Sequence, residues 1–95
     1  MSYEQLMEII NSLEDPSCVL SIMFGSGYKF IYGGSGREHF DINKNIDKDK
    51  GCVTSHITDL KDKPVTVYGA ITDITHVFTA DDPSQGVINV GSILR

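Results

Sequence analysis

The run from Lys63 to Phe78 constrains the fold of this chain more than any other stretch. Its sequence, KPVTVYGAITDITHVF, is the longest succession of residues that favour strands. Residues suited to one face of a strand occupy one parity in its first part: Val65, Val67, Gly69 and Ile71. The other parity takes over in its second part: Ile74, His76 and Phe78. The phase slips near Thr72 and Asp73, which predicts a β-bulge or corner in one long bent strand, and therefore a strongly curved sheet.

A short amphipathic helix is predicted ahead of the sheet, from about Tyr3 to Leu13. Apolar side chains recur there at helical spacing: Tyr3, Leu6, Met7, Ile10 and Leu13. Ser2 and Gln5 have the spacing of a capping box, and Asp15 before a proline ends the helix. A helix this short is not stable alone, so we expect it to pack against the sheet.

Three strands joined by Gly-containing turns are predicted next. They span Ser17–Phe24, Tyr28–Tyr32 and Arg37–Ile42 and would form an antiparallel meander. The polar, charged segment Asn43–Gly51 is interpreted as an exposed, mobile loop that folding does not require.

Two further strands complete the prediction, at Cys52–Ile57 and Val87–Leu94, with a loop at Ala80–Gly86 before the second. The expected fold class is α+β, with one N-terminal helix on a strongly curved, mostly antiparallel sheet of five to six strands. Closure of that sheet into a small barrel is the alternative. At 95 residues, the chain is expected to be a single domain spanning positions 1–95.

The charge distribution argues against several classes of partner. The formal net charge is −5, and Lys and Arg do not collect in one stretch. Nucleic acid is therefore an unlikely partner, and no membrane association is expected. The sequence starts without the basic and apolar regions of a signal peptide, and no apolar run approaches the ~20 residues that span a bilayer. Cys18 and Cys52 do not form a disulfide framework, so a cytoplasmic location is the expectation.

No motif predicts a cofactor or a metal ion. The Gly-rich turns lead into strands, whereas phosphate-binding loops lead into helices. Acidic and amide residues alternate from Asp41 onward as in a calcium loop, but its sixth and twelfth positions hold Ile46 and Cys52. A solvated charged loop is the preferred interpretation, with weak calcium binding as the alternative. The three histidines and Cys52 lack the spacing of a zinc site.

A polar row offers the one arrangement that suggests catalysis. Arg37, His39 and Asp41 would share a face of the predicted third strand, where a histidine could act as a general base beside a carboxylate. The exposed face of an ordinary half-buried strand has the same composition. Because no nucleophile or apolar carboxylate pair accompanies this candidate polar face, we expect a protein that is not an enzyme.

Two sets of apolar residues form the candidate interaction surface. The first comprises aromatic residues on one face of the middle strand: Tyr28, Phe30 and Tyr32. The second comprises residues of the last strand: Val87, Ile88, Val90, Ile93 and Leu94. The second set occupies both parities and no charge interrupts it before Arg95, so the usual protection of an edge strand is missing. A homo-oligomer is expected, and a symmetric dimer is favoured.

These observations predict a non-catalytic interaction or assembly module that acts through protein–protein contacts. A short acidic chain of this kind also fits an accessory protein of a phage or mobile element. The alternative function comes from the segment LKDKPVTVYGAITDI, which resembles an early strand of an OB-fold. That resemblance implies a small barrel that binds single-stranded nucleic acid or a nucleotide, with the aromatic residues as a stacking surface.

Overall fold

Two antiparallel sheets and one main helix make up the fold, so the α+β class is confirmed. The computed structural model describes residues 1–34, 36–80 and 90–94, the last of these by their backbone alone. The helices are α1 (Tyr3–Asn11) and the short α2 (Ile42–Asn45). The strands are β1 (Val19–Phe24), β2 (Lys29–Ile31), β3 (Ile46–Asp47), β4 (Cys52–Thr58), β5 (Pro64–Ala70), β6 (Ile74–Ala80) and β7 (Val90–Leu94). The first sheet has the order β2-β1-β6-β7 and the second has the order β3-β4-β5.

Helix α1 forms as its sequence predicts. The Ser2 hydroxyl accepts a hydrogen bond from the Gln5 N–H at 3.1 Å, and the Gln5 side chain accepts one from the Ser2 N–H at 2.8 Å. This is a complete capping box. Leu6, Ile9 and Ile10 are buried in the core, which confirms that the apolar stripe faces the sheets.

The long run of strand-forming residues divides between the two sheets. Its phase slip falls where predicted, but the feature there is a 3-10 turn at Ile71–Asp73 rather than a bulge. The turn carries the chain from β5 in the second sheet to β6 in the first. Ile71 and Ile74 on either side of it are both buried, which anchors the corner in the core. The prediction of one sheet of five to six strands is therefore wrong, and within the described ranges the two sheets do not close into a barrel.

The two sheets approach each other closely at Gly69 of β5. A Cβ atom at this position would overlap the ring of Phe24 from β1. A glycine lets another group come close to the strand, and here that group is an aromatic side chain. Phe24 also packs edge-on against Phe30 of β2, with ring centroids 4.8 Å apart. The core thus joins both sheets beneath α1.

The segment from Arg37 to Gly51 differs from both predictions made for it. Residues 37–41 form no strand, because the chain turns into α2, where the Asp41 carboxylate accepts a hydrogen bond from the Asn43 N–H at 2.8 Å. The exposed loop predicted for Asn43–Gly51 is wrong in its first part, where α2 and β3 extend to Asp47 and Asn45 is fully buried, whereas positions 48–50 form an exposed turn.

Strand β7 lies at the edge of the first sheet and pairs antiparallel with β6. Part of the predicted last strand, including Val87 and Ile88, lies outside the described residues, as does the predicted loop after Ala80. Among the helices that the structure describes, none has the length and apolar character needed to cross a membrane.

Candidate functional site

Hydrogen bonds at both ends of the β4–β5 ladder establish which backbone groups of β5 point away from β4. The Asp59 N–H donates to the Lys63 carbonyl at 2.9 Å, and the Ile71 N–H donates to the Gly51 carbonyl at 2.9 Å. Both bonds lie in the register that pairs Ser55 with Val67. In an antiparallel ladder, hydrogen-bonded pairs alternate with non-bonded pairs. Odd-numbered residues of β5 therefore bond to β4, and even-numbered residues direct their backbone groups to the opposite side.

The outward groups of β5 are left without a neighbouring strand. Thr66, Tyr68 and Ala70 each direct an N–H and a C=O outward, whereas Pro64 has only a carbonyl to offer. Strand β5 is the last member of its sheet, and no backbone partner for these groups lies within residues 1–34, 36–80 or 90–94. We call this row of unpaired groups the β5 edge.

Strand β5 lacks the features that usually protect an edge from pairing. It contains no charged residue, and none of its seven residues is buried. Val65 is 37% exposed and Tyr68 is 53% exposed. Only the proline at its start limits pairing. An uncharged, exposed edge of this length is a template for another strand.

Three adjoining compartments form a cleft: the first lies between β5 and β2, the second lies between β2 and both β4 and β5, and the third lies beside β4. The first has a volume of about 360 Å³ and is lined by Phe24, Tyr28, Phe30, Val67, Ala70 and Asp73, among others. The second, of about 160 Å³, shares Tyr28, Phe30 and Val67 with the first and adds Lys29, Arg37 and Ile57. The third, of about 400 Å³, shares Arg37 and Ile57 with the second and adds His56 and Thr58. We refer to all three as the cleft.

Charge changes sign along the cleft. Asp73 is the charged residue that lines the first compartment, whereas Lys29 and Arg37 are the charged residues that line the second. The Lys29 ammonium lies 5.0 Å from the centre of the Phe78 ring, a cation–π distance. The cleft is therefore acidic near Ala70, apolar in the middle and basic near Ile57.

The predicted aromatic surface is divided between the core and the cleft. Phe30 and Tyr32 are both buried in the core, and of the two only Phe30 also lines the cleft. Tyr28 is 55% exposed and lines the cleft, with its ring centroid 5.5 Å from that of Phe30. The residues of the second predicted set, at positions 87–94, have no described side chains.

The opposite edge of the second sheet is closed by side chains. Strand β3 is only two residues long, and beyond it the Thr54 carbonyl of β4 accepts hydrogen bonds from the Tyr32 hydroxyl at 2.8 Å and the Asn45 amide at 3.0 Å. The His56 N–H, next along the same edge, donates to the Glu38 carboxylate at 2.8 Å. Three side chains thus take the place of a neighbouring strand. We call this the closed β4 edge.

Glu38 is the centre of that closure. Its Oε1 lies 3.1 Å from the Lys44 ammonium and 3.0 Å from His56 Nδ1, and its Oε2 also accepts a hydrogen bond from the Asn45 amide at 3.2 Å. Burial raises the pKa of the Glu38 carboxyl, but the hydrogen bonds from His56, Lys44 and Asn45 together outweigh it and hold the pKa below its ordinary value. Burial, reinforced by the charge of Glu38, raises the pKa of the Tyr32 hydroxyl. The cluster therefore favours an ionised Glu38 and a neutral Tyr32.

The structure separates the residues of the predicted polar face. Arg37 lines the cleft, Asp41 caps α2, and the exposed His39 lies next to Gly33. Sequence reasoning passed over Glu38, because its partner His56 is distant in the chain and no local pattern links the two. It also passed over the β5 edge, although the uncharged run was visible in the sequence.

No group of three His, Cys, Asp or Glu side chains in the described part of the chain is placed to hold a metal ion. Comparison of the chain with models of protein families, with curated proteins and with solved structures finds no match.

Proposed function

We propose that this chain is a non-catalytic interaction module that binds a protein partner along the β5 edge. The observation that carries the proposal is an uncharged, exposed edge strand whose unpaired backbone groups lie beside an apolar cleft. An extended segment that joins such an edge gains main-chain hydrogen bonds, and its alternate side chains enter neighbouring pockets.

The cleft supplies what such a segment needs besides backbone groups. Tyr28, Phe30 and Val67 provide apolar surface where the first two compartments meet. Phe30 is held by ring contacts to Phe24 and Tyr28, so this surface is formed before a partner arrives. Preformed surfaces lose less entropy on binding than flexible ones.

The contacts of Glu38 support a non-catalytic role. The histidine and carboxylate pair formed by His56 and Glu38 has the composition of a general base with an orienting group. Both oxygens of Glu38, however, are engaged with groups that belong to β4 or α2. This arrangement supports a role in closing the β4 edge.

Selection of binders from a displayed library of random peptides tests the proposal. We expect selected peptides to shift the backbone amide NMR signals of Thr66, Tyr68 and Ala70. Thr66→Pro removes an outward N–H without removing a bond to β4, so it should weaken binding by about tenfold or more. Glu8→Lys, on the exposed side of α1, serves as the control and should leave the affinity unchanged.

Two outcomes would contradict the proposal. The first is a library that yields no specific binder. The second is a set of binders that shift signals away from β5 and keep their affinity for the Thr66→Pro variant.

The second candidate function is binding of single-stranded nucleic acid or a nucleotide. It is favoured by the exposed Tyr28 and Tyr68, which could stack on bases, and by Lys50, whose ammonium lies 5.2 Å from the centre of the Tyr68 ring. The net charge of −5 weighs against it. Fluorescence anisotropy with labelled oligonucleotides separates the candidates, because nucleic-acid binding would weaken steeply as salt is added.

Self-association through the last strand is a further proposal, and a symmetric dimer is its favoured form. It is supported by the position of β7 at the edge of the first sheet and by the uncharged sequence of Val90–Leu94. Light scattering at tens of micromolar tests it, and Ile93→Lys should convert the dimer to a monomer. A monomeric starting protein, or a mass that this variant leaves unchanged, would contradict it.

A further inference from the structure

We infer that the partner segment runs antiparallel to β5, with a basic residue near its start, an apolar residue at its centre and an acidic residue near its end. This inference rests on the proposed function and adds the direction and chemistry of the segment that binds.

The direction of β5 relates the two ends of the strand to the two charged ends of the cleft. Asp73 follows the last residue of β5, Ala70, and lines the same compartment. Arg37 lies toward the other end, on the β4 side of the cleft, where it shares compartments with Ile57 and Thr58 and one of them with Val67 of β5. These two residues of β4 pair with Val65 and Pro64, which begin β5. The cleft therefore runs from basic to acidic in the direction of β5.

Both charged side chains are available to a ligand. In the part of the chain that the structure describes, neither Asp73 nor Arg37 forms an ion pair, and both residues are exposed. The ion pairs that do form there belong to the Glu38 cluster. A segment that places opposite charges at the two ends would satisfy both residues at once, and complementary charges also fix the register of binding.

An antiparallel segment fits the surrounding backbone. Every strand pair of both sheets is antiparallel, so an added antiparallel strand continues the second sheet in its own pattern. Its first residues would then lie near Asp73 and its last residues near Arg37. The missing N–H of Pro64 affects only the end of this pairing, because Thr66, Tyr68 and Ala70 retain theirs.

The centre of the cleft selects an apolar side chain. Phe30, Tyr28 and Val67 line both the first and the second compartment, between the acidic and basic ends. The residues that these two compartments share are therefore all uncharged. In an extended segment, alternate residues point to the same side. An apolar residue at the centre, flanked at a distance by the two charged residues, therefore matches the cleft.

Two synthetic peptides test this inference. Both are slightly longer than β5, have blocked termini and share one composition, with alternating Val and Thr at the centre. The matched peptide begins with Lys and ends with Glu, and the reversed peptide begins with Glu and ends with Lys. We expect the matched peptide to bind the full chain about tenfold more tightly in a titration followed by amide NMR, and added salt should reduce the difference.

Substitutions at the two ends of the cleft sharpen the test. Asp73→Asn and Arg37→Gln should each reduce the preference for the matched peptide. The double variant Asp73→Lys, Arg37→Glu should reverse it, and its amide spectrum establishes that the chain remains folded. If the double variant does not fold, the two single variants still decide the question.

The outcomes of these tests distinguish a failure of this inference from a failure of the proposed function. Equal binding of both peptides, lost in the Thr66→Pro variant, would overturn the charge order and leave the proposed function standing. Tighter binding of the reversed peptide would indicate a parallel segment and would overturn the inference. Failure of both synthetic peptides to bind would overturn the inference. The proposed function would still stand if library-selected peptides bind and lose affinity for the Thr66→Pro variant. A failure of those peptides as well would overturn both.

Discussion

The two edges of the second sheet differ in whether side chains bond to their outward backbone groups. At the closed β4 edge, the backbone groups of Thr54 and His56 that point away from β5 bond to side chains of Tyr32, Asn45 and Glu38. At the β5 edge, the outward groups of Thr66, Tyr68 and Ala70 meet no such side chain among the described residues. Both edges belong to one small sheet, so the difference lies in what the rest of the chain supplies to each.

This difference indicates which edge of the sheet is available to a partner. Closing the β4 edge requires a buried Asn45, a turn at α2 and an ionised Glu38 held by hydrogen bonds. In its described residues, the chain provides all of this for one edge but places no charged residue within β5 and bonds no side chain to its outward backbone groups, which keeps the second edge available for pairing.

Proline substitutions at neighbouring positions of β5 should give the largest difference in unfolding free energy. Val67→Pro removes an N–H that bonds to β4, so we expect unfolding free energy to fall by about 3 kcal/mol or more. Thr66→Pro removes an outward N–H instead and should lower the free energy of unfolding by about 1 kcal/mol. Urea denaturation measures both. Equal losses would show that the assigned parity of the β5 edge is wrong.

The stability of the closed β4 edge should depend on the buried Asn45 side chain and not on the exposed Asn43 side chain of the same helix. Asn45→Ala leaves the Thr54 carbonyl and the Asp41 N–H each without one partner, at a cost of about 2 kcal/mol. Asn43→Ala, on the exposed side of the same helix, should cost less than about 0.5 kcal/mol. Similar denaturation midpoints for the two variants would mean that the side-chain cover does not stabilise the edge.

Acidification should weaken the closed β4 edge through a smaller effect. The pKa of Glu38 is lower in the folded chain than its ordinary value of 4.5. Its contribution is therefore fully present above that ordinary value and is lost as the pH falls through the folded pKa. Thermal unfolding between neutral and acidic pH measures this loss. Glu38→Gln should flatten this part of the profile, and an unchanged profile would contradict the role assigned to the carboxylate.

A charge placed on the β5 edge should have the smallest effect on stability. Thr66→Lys changes an exposed residue, so we expect a cost of about 0.5 kcal/mol or less. The same change should block strand addition, because a lysine on an edge strand opposes pairing. Urea denaturation together with peptide titration tests both parts. A variant that binds peptides as well as the parent chain would argue against the β5 edge as the binding surface.

Local patterns in the sequence were sufficient where short-range contacts decide the structure. The capping box of Ser2 and Gln5 and the apolar stripe of α1 predicted the helix, because their partners lie within a few residues. The phase slip near Asp73 predicted a corner for the same reason. Whether that corner bends one sheet or joins two depends on which distant strands pair with each half, and a single sequence carries no record of such pairing.

The candidate site could be predicted only in part. Tyr28 was predicted as part of a surface because it alternates with Phe30 in the predicted strand Tyr28–Tyr32, although the same alternation could not distinguish an exposed ring from a buried one. Glu38 received no predicted role, and Asn45 fell in the segment predicted as an exposed loop, since asparagine side chains are mostly exposed in proteins. Their roles arise from hydrogen bonds to β4, which only the folded chain brings within reach.

The order of strands in the first sheet has a consequence for the way this chain acquires its fold. Strand β1 lies between β2, which follows it directly, and β6, which is made much later, so that Ser21 pairs with both Ile31 and Phe78. As the chain is synthesised, the β1–β2 hairpin emerges long before its other neighbour. Contacts between such distant segments slow folding. The apolar side chains of Val19, Ile22 and Phe24 therefore stay incompletely covered until most of the chain has been made, which leaves this hairpin exposed to chaperones and to aggregation during synthesis.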